Sequence, residues 1–163
     1  MESYKVTVVM LLAFLISCGE QVQTSFKLAY EKALASGRSP GEKLLSTYQD
    51  IIKGEDCKGG RILTVKEDEV IPSVVSRGEK LNHRIVYTLC RETPLKGLIL
   101  RKIQRDSKTL MTDKTDYEFK PGKWVIDAFI EVPHNAKEGS YLLESSIEAG
   151  STDHIKRHPF IVR

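Results

Sequence analysis

The spacing of apolar positions changes character three times along the chain. Residues 6 to 16 (VTVVMLLAFLI) are apolar almost without a break, behind a polar start that carries Glu2 and Lys5. A segment of that length is too short for a permanent transmembrane helix, which takes about 20 residues, but it suits the apolar region of a secretory signal peptide. Residues 22 to 35 (VQTSFKLAYEKALA) then place Phe26, Ala29, Tyr30, Ala33 and Leu34 at helical spacing. Residues 42 to 53 do the same with Leu44, Leu45, Tyr48, Ile51 and Ile52. Glycine- and proline-bearing breaks at 36–41 and 54–60 bound these stretches, so the pattern predicts two short amphipathic helices within residues 18–60. Helices this short need a surface to pack on, either the domain that follows or a partner protein.

From Arg61 the period shortens to two, the period of a strand with one face inward. Strands are predicted at 61–66, 70–75, 81–90, 95–105, 123–132, 140–149 and 153–163. Pro72 marks the second of these as an edge or bulged strand, because proline cannot donate to a ladder. The polar stretch 106–116 predicts at most a short strand around 109–112. Short strands bounded by Gly, Pro, Asn or Asp predict an antiparallel β-sandwich over 61–163. The expected fold is therefore mainly β, with a signal peptide at 1–17, a helical segment at 18–60 and one sandwich domain.

Two local patterns carry family resemblances. Leu15-Ile16-Ser17-Cys18, followed by Gly19, closes the apolar run and resembles the lipobox of bacterial lipoproteins. That resemblance implies a diacylglycerol on the Cys18 thiol, cleavage before Cys18 and an acylated mature protein. Gly19 in place of aspartate would favour the outer membrane. Glu2 and the bulky Ile16 depart from the usual pattern, and an ordinary cleaved signal peptide or an uncleaved anchor would show the same apolar run. The second pattern is Ile130-Glu131-Val132-Pro133, a short loop, then Gly139-Ser140-Tyr141. It resembles the tyrosine corner of immunoglobulin-like folds, where the phenol hydroxyl bonds back to the loop backbone. The stretch from Val70 to Arg163 thus resembles a bacterial immunoglobulin-like domain. It lacks the antibody pattern of two cysteines around a tryptophan, since Leu143 stands at the second cysteine position and Trp124 comes late.

Composition narrows the field further. The net charge is +3, and removing Glu2 and Lys5 together leaves it unchanged. Acids and bases are interspersed, so the basic stripe of a nucleic-acid binder is not expected. With Cys18 lipidated, Cys57 and Cys90 remain as a pair in an oxidising compartment. A disulfide between them would add roughly 3 kcal/mol by loop closure; two separate thiols are the alternative.

Candidate chemistry is sparse. His154 and His158 would share a helix face, but Pro159 and the β-branched neighbours favour a strand. Residues four apart on a straight strand are about 13 Å apart, so joint metal ligation is not expected and both are read, with His83 and His134, as surface histidines. Asp113, Asp116 and Glu118 offer oxygen ligands for calcium, but Lys108, Lys114 and Lys120 sit among them and a solvated loop is expected. Arg101, Lys102 and Arg105, near Arg91 and Lys96, could form a basic patch; a solvated strand face is the plainer reading. There is no G-x-S-x-G, Cys-x-x-Cys, phosphate loop or H-E-x-x-H, so no catalytic residue, metal or cofactor is expected.

The sequence therefore points to a lipid-anchored cell-envelope protein acting as a non-catalytic binding or scaffold module. It would be an accessory subunit of an envelope assembly, held at the membrane by its lipid, facing the periplasm or the cell surface. A glycan- or surface-binding module is the alternative and would need exposed aromatics, for which Tyr117, Phe119 and Tyr141 are the candidates. An enzyme is the least favoured class. The C-terminal strand is the expected edge for strand addition.

Overall fold

The computed structural model describes the backbone of Lys27–Leu28 and residues 38–163. Cys18, the lipobox and most of the first expected helix lie outside the described residues. The elements run β1 (Lys27–Leu28), β2 (Gly41–Ser46), α1 (Tyr48–Lys53), β3 (Leu63–Ile71), β4 (Val74–Val75) and β5 (Lys80–Leu89). They continue as β6 (Leu95–Arg105), β7 (Lys108–Phe119), β8 (Gly122–Glu131), β9 (Gly139–Ala149) and β10 (Thr152–Val162). Two five-stranded sheets result. In the first, β5 joins β3 to β8, and β1 and β2 pair with the other side of β8. The second runs β4-β10-β9-β6-β7 and is antiparallel except for the parallel β4–β10 contact. Among the described residues no helix is long and apolar enough to cross a membrane.

The sheets face one another, and their inward positions form two separate apolar clusters. In one, Leu81 and Ile130 of the first sheet meet Ile103, Leu143 and Phe160 of the second. In the other, Ile85, Tyr87 and Ile126 meet Ile99, Phe119 and Ile147. Each fully buried Leu, Ile or Phe of this kind contributes about 1.5–3 kcal/mol relative to exposure. Cys57 and Cys90 are disulfide-bonded with Cα atoms 5.5 Å apart, tying the segment before β3 to the end of β5.

Three expectations are corrected. Residues 42–46 are strand, not helix: they ladder onto the free side of β8, and only Tyr48–Lys53 is helical. A helix so short is marginal, and this one is held by a capping box between Thr47 and Asp50 and by burial of Ile51. Lys27–Leu28, within the first expected helix, likewise pair with β8 as strand. Second, the strands expected at 61–66 and 70–75 divide differently. β3 continues to Ile71 through an irregularity between Val65 and Glu67, and beyond Pro72 the chain passes to the other sheet as β4. Third, 108–119 is a full strand where at most a short one was expected. Asp106 and Ser107 both take φ near the left-handed region (49° and 63°), the two-residue turn that matches strand twist, and β7 then pairs with β6 along its length. Its inward positions include Asp113 and Thr115, so its apolar alternation is interrupted.

Candidate functional site

A polar centre lies between the two apolar clusters. On β5, His83 falls between Leu81 of one cluster and Ile85 of the other; on β6, Arg101 falls between Ile99 and Ile103; on β9, Ser145 falls between Leu143 and Ile147. Each is the one polar interruption of an alternating core face, and antiparallel pairing sets Arg101 beside Ser145 and Asp113. Asp68 of β3 faces them. All are buried: Asp68 is 3% exposed, Arg101 2%, His83 and Ser145 0%.

The Asp68 carboxylate is the hub. Its Oδ1 lies 2.9 Å from His83 Nε2 and 2.6 Å from His158 Nε2. Its Oδ2 accepts from Ser145 Oγ at 2.6 Å and lies 2.9 Å from His154 Nε2. The Lys156 ammonium donates to the Asp68 carbonyl at 2.7 Å. Arg101 extends the network: Nε donates to His83 Nδ1 at 2.8 Å and Nη1 to Asp113 Oδ2 at 2.9 Å. Because Arg101 can only donate, His83 Nδ1 must be the acceptor and Nε2 carries the ring proton, which is directed at Asp68.

The electrostatics follow. Burial pushes the Asp68 carboxyl up, but the hydrogen bonds from His158, His83 and Ser145 outweigh it and hold the group far below the usual carboxylate range. Burial, helped by the Arg101 charge, outweighs the pull of Asp68 on His83 and lowers its pKa to about 4. At neutral pH the centre thus contains a carboxylate, a neutral imidazole and the Arg101–Asp113 ion pair.

This arrangement is closed chemically. A carboxylate has about four acceptor positions, and four side-chain nitrogens and oxygens already occupy those of Asp68. Ser145 donates straight to the carboxylate and not to a histidine, so the nucleophile–base–acid order of an activated serine is not formed. Asp68, His83 and His158 do offer three ligand atoms within 4.8 Å of one another. A metal held by His83 would need the Nε2 lone pair, and the Arg101 hydrogen bond puts a proton there. The donor set therefore does not fit a metal centre that uses His83.

Most of the candidates read from the sequence sit elsewhere than expected. His154 and His158 are not surface residues on a straight edge: His158 is 8% exposed and both rings converge on Asp68, because imidazoles from two positions on one strand face can lean toward a single partner. Asp113, Asp116 and Glu118 lie on β7, where Asp116 and Glu118 share the outward face and Asp113 is turned inward to Arg101, so the three form no common ligand set. Arg101 is an interior residue and no part of a basic patch. Arg105 packs its guanidinium 5.2 Å from the Tyr141 ring centroid. Of the aromatic candidates, Phe119 and Tyr141 are buried, and Tyr117 packs edge-on against Tyr87 and Phe119, so they form no exposed stacking platform. Tyr141 Oη donates to the Lys137 carbonyl at 2.6 Å. His134 lies against Gly78, where an added Cβ would come within 2.3 Å of the ring. The residues that sequence reasoning missed are Asp68, Ser145 and the inward roles of His83 and Arg101. The available signal was a polar residue at a core-facing position, repeated in several strands.

No family model and no curated protein matches the chain. Among solved structures, it is similar to an alkylpurine DNA glycosylase from Pseudomonas fluorescens (14% identity, TM-score 0.46, covering 69% of this chain and 33% of that one). It is also similar to a family 123 glycoside hydrolase from Clostridium perfringens (15%, TM-score 0.43, 55% and 22%). A third is the CARDB domain of a Pyrococcus furiosus protein, determined with di-metal ions (16%, TM-score 0.42, 61% and 91%). The chain spans a third or less of the length of the two enzymes, and likenesses at these TM-scores carry no functional argument.

Proposed function

We propose that this protein is a lipid-anchored component of a bacterial cell envelope that acts by non-covalent binding, through an immunoglobulin-like sandwich held at the membrane by Cys18. The single observation that carries the non-catalytic reading is the saturation of Asp68 by the chain's own side chains, with His83 locked as a donor. What could have been a reactive constellation is instead a buried link between two sheets. The immunoglobulin-like assignment is supported by Tyr141, whose hydroxyl bonds back to Lys137 in the loop before β9, the geometry of a tyrosine corner. The anchor rests on Leu15–Cys18 at the end of an apolar run. In this reading the protein is an accessory subunit of an envelope assembly, sited at the outer membrane, with the sandwich edges as its binding surfaces. Removing residues 155–163 is a poor probe of those edges, because it also takes His158, Phe160 and Val162 from the interior.

The test is an intact mass of the protein extracted from membranes, followed by crosslinking in intact envelopes. A chain beginning at Cys18 with a diacylglycerol and an amide-linked acyl group, crosslinked in fixed stoichiometry to envelope protein, is expected. An unmodified full-length chain, or a chain that crosslinks to nothing, overturns the reading.

A further inference from the structure

We propose that the outer edge of β10 pairs antiparallel with β10 of a second copy of this chain, about a two-fold axis at Ile155, fusing two second sheets into one. This rests on the reading of the protein as a binding module and names its partner at that edge. β9 covers one side of β10 from Thr152 to Val162, whereas on the other side β4 forms a backbone ladder only at Ile161 and Val162, and β3 meets the rest through the side chains of Thr152, His154 and Lys156. Pro159 lacks an N–H, so any added ladder must end before it. The edge left over runs from Thr152 to His158, and its midpoint is Ile155.

Antiparallel pairing about that midpoint has a consequence fixed by register. Ile155 falls opposite its own copy, and Asp153 falls opposite Arg157 of the partner subunit, twice by symmetry. These three residues lie on the outward face and are exposed; Ile155, at 62%, is the most exposed of the large apolar side chains among the described residues. The outward face of the edge is therefore complementary to itself in both polarity and charge, the requirement for an isologous contact that closes as a dimer and does not grow. Arg157 now bonds Glu144 at 2.9 Å with its side chain 70% exposed, so it is available to turn toward an aspartate across the axis. Lys156, which as an edge lysine would discourage addition, is drawn inward to the Asp68 carbonyl.

The experiment is sedimentation of the full protein in detergent, for the natural chain, Asp153→Arg, Arg157→Asp and the double swap, with thermal melts to confirm that all four fold. A dimer is expected for the natural chain. Each single swap sets like charges opposite each other and should raise the dimer dissociation constant about tenfold; the double swap should restore it. A monomer at every concentration, or a dimer indifferent to the swaps, overturns the proposal. Ile155→Cys oxidised in intact envelopes separates the two readings. A disulfide to a second copy supports self-pairing, while a crosslink to a different protein overturns it and leaves the binding reading standing.

Discussion

Arg101 Nε donates to His83 Nδ1 at 2.8 Å where neither side chain is more than 2% exposed. A guanidinium and an imidazole can be neighbours in such a place only while the imidazole is neutral, since two buried like charges at that distance would repel strongly. The contact sets the ring's tautomer and charge, and through them the role of Asp68.

The pH dependence of stability follows from this. His83 is lowered to about 4 in the fold against an ordinary value near 6.5, so the unfolded chain binds more protons between those limits. The His83 contribution is fully present above about pH 6.5 and is lost as pH falls toward 4, by about 3 kcal/mol over the window. His83→Gln preserves both hydrogen bonds, its amide donating to Asp68 and its carbonyl accepting from Arg101, but cannot titrate. Urea unfolding from pH 7.5 to pH 4.5 should show a flatter slope for this variant than for the natural protein; equal slopes would place the titrating group elsewhere.

Asp68→Ala removes the acceptor from under three imidazoles and a hydroxyl. Such losses in a buried network cost about 3–5 kcal/mol, a large part of the stability of a small domain. Chemical denaturation should show this loss, whereas Asp113→Ala should cost less, because Asp113 stands at the partly exposed end of the chain of contacts.

Legibility in the sequence tracked how each segment satisfies its backbone. β5, β6, β8, β9 and β10 were readable because apolar residues recur at every second position on the face turned to the core. β7 was not, because Asp113 and Thr115 occupy inward positions and its pairing comes from the Asp106-Ser107 turn. β2 was misread because Leu44 and Leu45 match a helical stripe, and nothing local reveals that β8 has a free side for them to join. The polar centre was hidden for a related reason. Asp68 lies 90 residues from His158 and 77 from Ser145, so only the packing of the two sheets brings them together.

Tyr141→Phe keeps the ring stacked on Phe160, with centroids 5.4 Å apart, and deletes the hydroxyl that bonds the Lys137 carbonyl. A loss of about 1–2 kcal/mol in denaturant unfolding is expected. No loss would mean that the corner does not contribute to holding the loop before β9.

Reduction of Cys57–Cys90 opens a loop with a sequence separation of 33. The chain-entropy estimate for that loop is about 3–4 kcal/mol, so the midpoint of thermal unfolding should fall markedly in reductant, and Cys57→Ser/Cys90→Ser should match the reduced protein without further response to it.

Histidine nitrogen shifts of isotope-labelled protein, recorded with and without zinc, test the closed nature of the polar centre most directly. His83 should appear as a neutral ring with the proton on Nε2 and none on Nδ1 at pH 7, unchanged when zinc is added. A proton on Nδ1, or an Nε2 signal that moves with zinc, would contradict the account: the Arg101–His83 contact would not hold, and Asp68, His83 and His158 would be free to act as a metal centre.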